Sequence, residues 1–310
     1  MTINWKSKII LAKIEANYGV DPTPTGAANA MLMTQVSFSP MEGEDVSRDL
    51  EFPYLAAQGK IPVGLRCRLR GRVELVGSGT AGVAPAWGPL ARACRAAEVI
   101  VADTSTTYNP ISESMESVTI WFWIGGTKQI VKGCRGNATL RFPAQAIPYI
   151  ELDVVGLYAD PAEVMRPSVT LTGFQKPVIV TNANTPTFTI DDVPLVLREF
   201  MMNLGNQVEP RLLVGSDAIV IPDGMESVTA RVEAVPMSTF NPFSLARTKE
   251  AVEVVLVHGT EAGKIATVTI PTAEIDRMGD YENAQNILEW NLPITPIPAS
   301  GNDQWSLALT

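Results

Sequence analysis

The stretch Leu65-Arg66-Cys67-Arg68-Leu69-Arg70-Gly71-Arg72-Val73-Glu74-Leu75-Val76 alternates apolar and charged side chains with a period of two. In an extended chain successive side chains point to opposite faces, so Leu65, Cys67 and Leu69 share one face and the arginines the other. The stretch predicts a strand that is dry on one side and wet on the other. The same pattern recurs outward from it. Met33 to Ser39 alternates likewise, and Val118-Thr119-Ile120-Trp121-Phe122-Trp123-Ile124 is dense in β-branched and aromatic residues. Gly125-Gly126, directly after it, is a two-residue hairpin signal. Ala138 to Phe142 and Tyr149 to Tyr158 add further strands. One Ala-rich helix is expected from Pro89 to Glu98, with proline tolerated in its first turn.

The second half repeats the plan. Strands are expected at Phe200–Leu204, Ala218–Ile221, Ser227–Val235, Ala251–Val257, Lys264–Ile270 and Ile287–Leu292, with a short helix at Asn241–Arg247. Arg72-Val73-Glu74 and Arg231-Val232-Glu233 each precede a Gly/Pro-containing loop and a Pro-started helix. Aromatic-rich strands are read after both helices, with hairpins at Gly125-Gly126 and His258-Gly259. The parallel suggests a diverged internal duplication with a period of about 150 residues. Met115-Glu116-Ser117-Val118-Thr119 recurs at Met225 to Thr229, but one copy follows its helix and the other precedes it, so that match is coincidental. Residues 1–35 read as an arm: an amphipathic piece from Trp5 to Tyr18, then a loop rich in Gly and Pro. The stretch Pro161–Pro177 reads as linker, and the expected division is an arm over 1–35, a module over 36–165, a linker over 166–180, and a second module over 181–310.

Composition narrows the function. The chain has 310 residues, 46% apolar and 18% charged, enough for a sizeable core. Gly and Pro together make up about 15%, below the level of low-complexity disorder. No run of roughly 18 apolar residues predicts a membrane-spanning helix, and no membrane insertion is expected. The N-terminus shows no secretory signal pattern, so a secreted adhesin is disfavoured. A net charge of −9 argues against gripping nucleic acid through a basic surface. That charge is uneven: residues 1–150 carry +3 and residues 151–310 carry −12. Cys67, Cys94 and Cys134 are widely spaced and odd in number, pointing to buried free thiols in a reducing compartment. With His258 as the one histidine, multi-His metal sites are excluded.

The candidate chemical motifs are weak. Gly77-Ser78-Gly79-Thr80-Ala81-Gly82 follows a strand, precedes a helix and has Asp103 about 20 residues on, imitating a dinucleotide fingerprint. Pro85, Gly88 and Pro89 delay the helix, however, so its N-terminal amides cannot meet a pyrophosphate within the motif. The preceding strand is also wet on one face, unlike a central parallel strand. A flexible loop is the expected reading, and a dinucleotide-dependent oxidoreductase the alternative. The acidic group Glu42, Glu44, Asp45, Asp49 and Glu51, interrupted by Arg48, fits no calcium-loop spacing and reads as a solvated loop. His258 reads as a turn histidine. The arginine face at residues 66–72 is expected to meet an acidic neighbour, the acidic half of another copy being one source of it. No catalytic residue, metal ligand or cofactor is assigned.

Several strings, taken together and in order, carry a family resemblance. Ala12 to Pro24 (AKIEANYGVDPTP), Glu74 to Leu90 with Ala93-Cys94, Thr107-Tyr108-Asn109-Pro110, Glu116 to Ile120, Gly133-Cys134-Arg135-Gly136, Gly156-Leu157-Tyr158, and Leu204 to Val208 with Arg211 and Leu213 to Ser216 resemble the tail tube proteins of long-tailed, non-contractile bacteriophages. The resemblance covers most of the chain and is poorest around the second helix. It implies a mainly β protein whose module is a β-sandwich or partly open barrel with a short flanking helix; the internal duplication read above makes the expectation two such modules in tandem. It implies a virion structural protein without catalysis, assembled in the bacterial host cytoplasm into the tail. Its copies would form rings stacked into a tube that houses the tape measure protein, conducts DNA without specific binding, and abuts baseplate and tail terminator proteins. Two modules per chain imply a trimeric, pseudo-hexameric ring. One tube module with an immunoglobulin-like decoration would instead give a hexamer. A tail terminator or baseplate hub is a neighbouring alternative. The arm 1–35 and the loop Glu42–Lys60 are the expected ring contacts, with Glu42, Glu44, Asp45, Arg48, Phe52, Tyr54 and Lys60 as the candidate interface residues. A carboxylate-lined lumen is expected, since it would repel DNA phosphates.

Overall fold

The computed structural model describes residues 2–310. Its first half contains β1 (Lys8–Ile14), β2 (Thr34–Ser47), β3 (Lys60–Glu74), helix α1 (Gly88–Arg92), β4 (Ala96–Val101), β5 (Ser105–Pro110), β6 (Val118–Ile124), β7 (Thr127–Pro143), β8 (Tyr149–Leu157) and β9 (Ala162–Glu163). The second contains β10 (Thr187–Ile190), β11 (Val193–Pro194), β12 (Leu197–Asn203), β13 (Asn206–Leu213), β14 (Ser216–Gly224), β15 (Ser227–Glu233), helix α2 (Pro242–Thr248), β16 (Ala251–His258), β17 (Ala266–Ile275), β18 (Glu282–Ala284), β19 (Ile287–Pro296) and β20 (Ser306–Leu309). The protein is mainly β, its large sheets are antiparallel, and they close into no barrel.

The alternating strand β3 sits in a continuous ladder, β2-β3-β8-β7-β12-β15-β19. Its period-2 pattern does what the pleat demands. Cys67, Leu69 and Val73 point inward with Ile150, Leu152 and Val154 of β8, Leu140 and Phe142 of β7, Phe200 and Met202 of β12, and Trp290, Leu292 and Ile294 of β19. A second layer covers this apolar face. Phe122 of β6 stacks on Phe38 of β2 with ring centroids 4.3 Å apart, and Phe188 of β10 meets Phe200 of β12 at 6.2 Å. Each such fully buried side chain contributes about 1.5–3 kcal/mol.

β7 belongs to both layers. Its N-terminal part pairs with β6 and its C-terminal part with β8 and β12. The crossover is a bulge at Gly133, whose φ is +59°, and a Cβ there would lie 2.6 Å from the Tyr18 ring. Only glycine satisfies both constraints. β17 makes the same kind of transition, pairing with β16 along its length, with β20 at one end and with β19 at the other.

Several expectations need correction. The segment 1–35 is not a free arm: β1 pairs with β6 and buries Ile10, Leu11 and Ala12. β1 is buried at three consecutive residues and half-buried at both ends, so it carries no period-2 signal by which to be read as a strand. The region Glu42–Lys60 is not wholly loop, because β2 runs to Ser47 and pairs there with Lys60 of β3. The helix expected from Pro89 to Glu98 stops at Arg92. Gly136 N–H takes the Ala93 carbonyl (3.1 Å), Arg95 turns to φ +65°, and Ala96 onward joins β5 as strand. Tertiary pairing here overrides alanine's helix preference. The second helix lies within one residue of expectation, capped by Asn241, whose side chain accepts from Ser244 N–H at 3.0 Å. The expected modules also do not form separate sheets: β12 pairs with β7, and β20 lies between β5 and β17.

Candidate assembly interface

The expected interface residues all lie on one projecting element. β8 supports β3 only from Arg66 onward, so the rest of the β2–β3 hairpin extends beyond the sheet as an arm. Glu42 stands opposite Arg66, with Oε2 3.8 Å from its Nε; Glu44 faces Val63, Asp45 faces Pro62 and Lys60 faces Ser47. Arg48, Phe52 and Tyr54 lie in the tip, where the Phe52 and Tyr54 rings stack 5.4 Å apart and nearly parallel. Gln58 closes the tip by bonding both the N–H and the carbonyl of Leu50. The arm leaves Met41, Val46, Phe52, Tyr54, Leu55, Ile61 and Val63 exposed, Leu55 completely. An apolar group of this kind, rimmed by charge, has the composition that protein contact surfaces share.

The outer face of the ladder is polar and self-satisfied. Arg68 grips Asp153 with two bonds (Nε–Oδ1 2.6 Å, Nη2–Oδ2 2.7 Å), and Arg70 adds a third at 3.1 Å. Arg72 reaches Glu151, and Arg141 bridges Glu151 and Glu199. At the far end Glu289, fully buried, accepts from Arg198 and Arg231, and Glu282 adds a carboxylate beside Arg231. Burial opposes ionisation of Asp153 and Glu289, yet hydrogen bonds from their arginines outweigh it and hold both carboxyls below the ordinary range. The arginine face thus meets acidic partners as expected, but across the strands of its own chain.

The hairpin β13–β14 folds back over this sheet's end. Asn206 N–H donates to Asn137 Oδ1, and its amide donates to the carbonyls of Cys94 and Gly136 (2.8 and 3.1 Å). Arg95 pairs with Glu226 at the hairpin's base. Ile219 N–H donates to Tyr18 Oη, and Arg135 Nη1 donates to Ile219 O at 3.0 Å. Tyr18 in turn is set by Glu15, a carboxylate sequence reasoning missed. Glu15 is buried and accepts from Gly19 N–H (2.7 Å), Ser117 Oγ (2.6 Å), Thr119 Oγ1 (2.7 Å) and Gly133 N–H (2.7 Å). Its only sequence signal is a lone acid at the end of an apolar run, KIILAKIE.

The remaining motifs resolve into packing. Gly79 N–H donates to Gly263 O at 3.0 Å, and a Cβ on Gly77 would come within 2.2 Å of that same oxygen. The Gly77–Gly82 stretch is therefore docked against a turn of the second half, where its glycines admit close backbone approach. His258 ends β16 and is buried, with Nδ1 2.9 Å from Thr185 Oγ1 and burial lowering its pKa. All three cysteines are buried free thiols, and burial pushes Cys67 up to about 12. Among the described residues no helix is long and apolar enough to cross a membrane. No protein-family model matches this chain, and no curated protein is significantly similar to it.

Proposed function

We propose that this chain is the tail tube subunit of a long-tailed, non-contractile bacteriophage or a related prophage, a structural protein without catalysis. In this reading it assembles in the host cytoplasm into stacked rings of the virion tail, holds the tape measure protein, meets baseplate and terminator proteins at the tube's ends, and passes DNA without specific binding.

The observation that carries the reading is a correspondence of register between the two halves. In β6–β7, Val118 and Ile120 face Cys134 and Val131 across a bulge; in β16–β17, Val252 and Val254 face Ala273 and Ile270 across another. Arg72 and Val73 pair with Glu151 and Ile150, as Arg231 and Val232 pair with Asn291 and Trp290. These matches support a tandem duplication, with β1, β2, β3, β6, β7 and β8 answered by β10, β12, β15, β16, β17–β18 and β19. Inside the chain the halves join through β7 and β12. Their counterparts, the outer edges of β18 and β2, are open among the described residues, since β18 pairs with β19 alone and β2 with β3 alone. Copies joined edge to edge repeat the internal joint, and three such chains make a pseudo-sixfold ring that leaves those edges paired. The exposed arm then supplies contacts beyond the subunit, and a non-closing stacking contact yields a filament.

We assign the polar face of the ladder to the lumen. Its arginines are already held by carboxylates, so DNA slides past a charge-balanced wall instead of the bare carboxylate lining expected from net charge.

Negative-stain microscopy with mass photometry tests the function. Hollow tubes with regular rings, and soluble species in multiples of three chains, are expected. A chain that remains monomeric even with tail initiator and tape measure protein present would refute the proposal.

A further inference from the structure

We propose that the tip of the β18–β19 hairpin of one copy seats against the apolar groove between β1 and β2 of the next copy. This rests on the side-by-side association proposed above and names the side chains that make the joint. The template lies inside the chain. There the β7–β8 tip docks on the second half: Ala144 N–H donates to Arg198 O (2.8 Å), Gln145 N–H to Val180 O (2.8 Å), and Val180 N–H to Ala146 O (3.0 Å). Ala144 and Gln145 thereby rim a groove of about 560 Å³ that runs between β10 and the start of β12, with Phe188, Leu195 and Val196 on its walls.

Both halves of that contact have a counterpart without a partner. Glu282 pairs with Glu289 in β18–β19 as Arg141 pairs with Tyr149 in β7–β8, so the turn Gln285-Asn286 answers Gln145. All three turn residues have positive φ (Gln145 +61°, Gln285 +55°, Asn286 +65°). Next to that turn Ile287 and Leu288 are about half exposed (48% and 46%), and Tyr281 lies out at 66%. On the receiving side, β1 pairs with β6 as β10 pairs with β16, and β2 with β3 as β12 with β15. The groove between β1 and the start of β2 is the larger, about 720 Å³, walled by Trp5, Ile9, Met31, Leu32, Met33 and Leu171. The chain thus carries an apolar tip without a groove and an apolar groove without a tip. Being on opposite ends of the ladder, they meet only between copies.

The register fixes a crosslink. Met201 stands opposite Arg141 in the internal joint, and their counterparts are Ser37 and Glu282. In the double variant Ser37→Cys/Glu282→Cys, oxidation of the assembled protein should give a covalent ladder ending at a closed trimer, with neither single variant doing so. Rings or tubes without the ladder would overturn this joint while leaving the tube function standing; neither assembly nor ladder with tail initiator and tape measure protein present would overturn both. As a second readout, Ile287→Asp/Leu288→Asp should keep the melting temperature of the free subunit within about 2 °C, because both side chains are exposed. The same variant should raise the concentration needed for assembly at least about tenfold. Unchanged assembly in that variant would also overturn the joint.

Discussion

Replacing Glu15 by Gln removes a charge and almost no volume, so its effect isolates one buried carboxylate. The wild-type side chain accepts four hydrogen bonds, two on each oxygen. A glutamine retains one accepting oxygen and turns an NH2 donor toward two existing donors. If the oxygen stays with Thr119 and Gly133, the amide faces Ser117 and Gly19. The Ser117 hydroxyl can rotate to accept, but the Gly19 N–H cannot, and an orphaned buried donor costs about 1–3 kcal/mol. The other bonds lose their charge assistance, roughly half their strength. Together the change amounts to about 3–5 kcal/mol. For a chain of 310 residues, an unfolding entropy of about 2.1 cal/mol/K per residue turns that into a fall of about 5–8 °C in melting temperature. Calorimetry reads the shift, and hydrogen exchange at Gly19 and Gly133 reads its location, since both amides end on this carboxylate. A melting temperature within about 1 °C of wild type, or unchanged exchange at those two amides, would refute the reasoning.

Acid should unfold the protein in two stages. His258 is held below its ordinary pKa by burial, so the unfolded chain binds its proton first and stability starts to fall below about pH 6.5. Asp153 and Glu289 have native pKa values below the ordinary range despite their burial, because arginines bond them. Their contribution is complete above about pH 5 and drains away as pH falls through those lowered values, steepening the loss below about pH 4. Urea midpoints measured from pH 3 to 7 should show both limbs, and Asp153→Asn/Glu289→Gln should flatten the lower one. The triple change Phe52→Asp/Tyr54→Asp/Leu55→Asp on the arm's tip should leave melting within about 2 °C of wild type yet abolish tube formation in electron micrographs, because the tip is exposed. Cys67, pushed up to about 12 by burial, should resist iodoacetamide at pH 8 in the native protein and react on unfolding, as mass spectrometry would show.

The exposure of the β2–β3 arm was legible in outline because polarity shows directly in composition: Glu42 to Lys60 is a run of charges with a few apolar anchors. That its ends are paired strand did not show, since edge strands exposed on both faces lose the alternation by which strands are read. The polar face was half legible. Arg66, Arg68, Arg70 and Arg72 announced themselves by spacing, whereas Asp153 and Glu151, the partners of the last three, lie some 80 residues away and were set opposite them only by register. Glu15 and the groove beside β1 were not legible, because β1 carries no period-2 signal.

By itself the sequence determined the β character, the wet and dry faces of the alternating strands, the place of the second helix and the echo between the two halves, because these follow from local periodicity and from residues' own backbone preferences. Tertiary structure decided where the Ala-rich helix ends, that β7 serves two layers, that the Gly77–Gly82 stretch packs on Gly263, and which edges remain open. Each depends on a hydrogen-bonding or packing partner distant in the chain, and such partners leave no trace in local pattern.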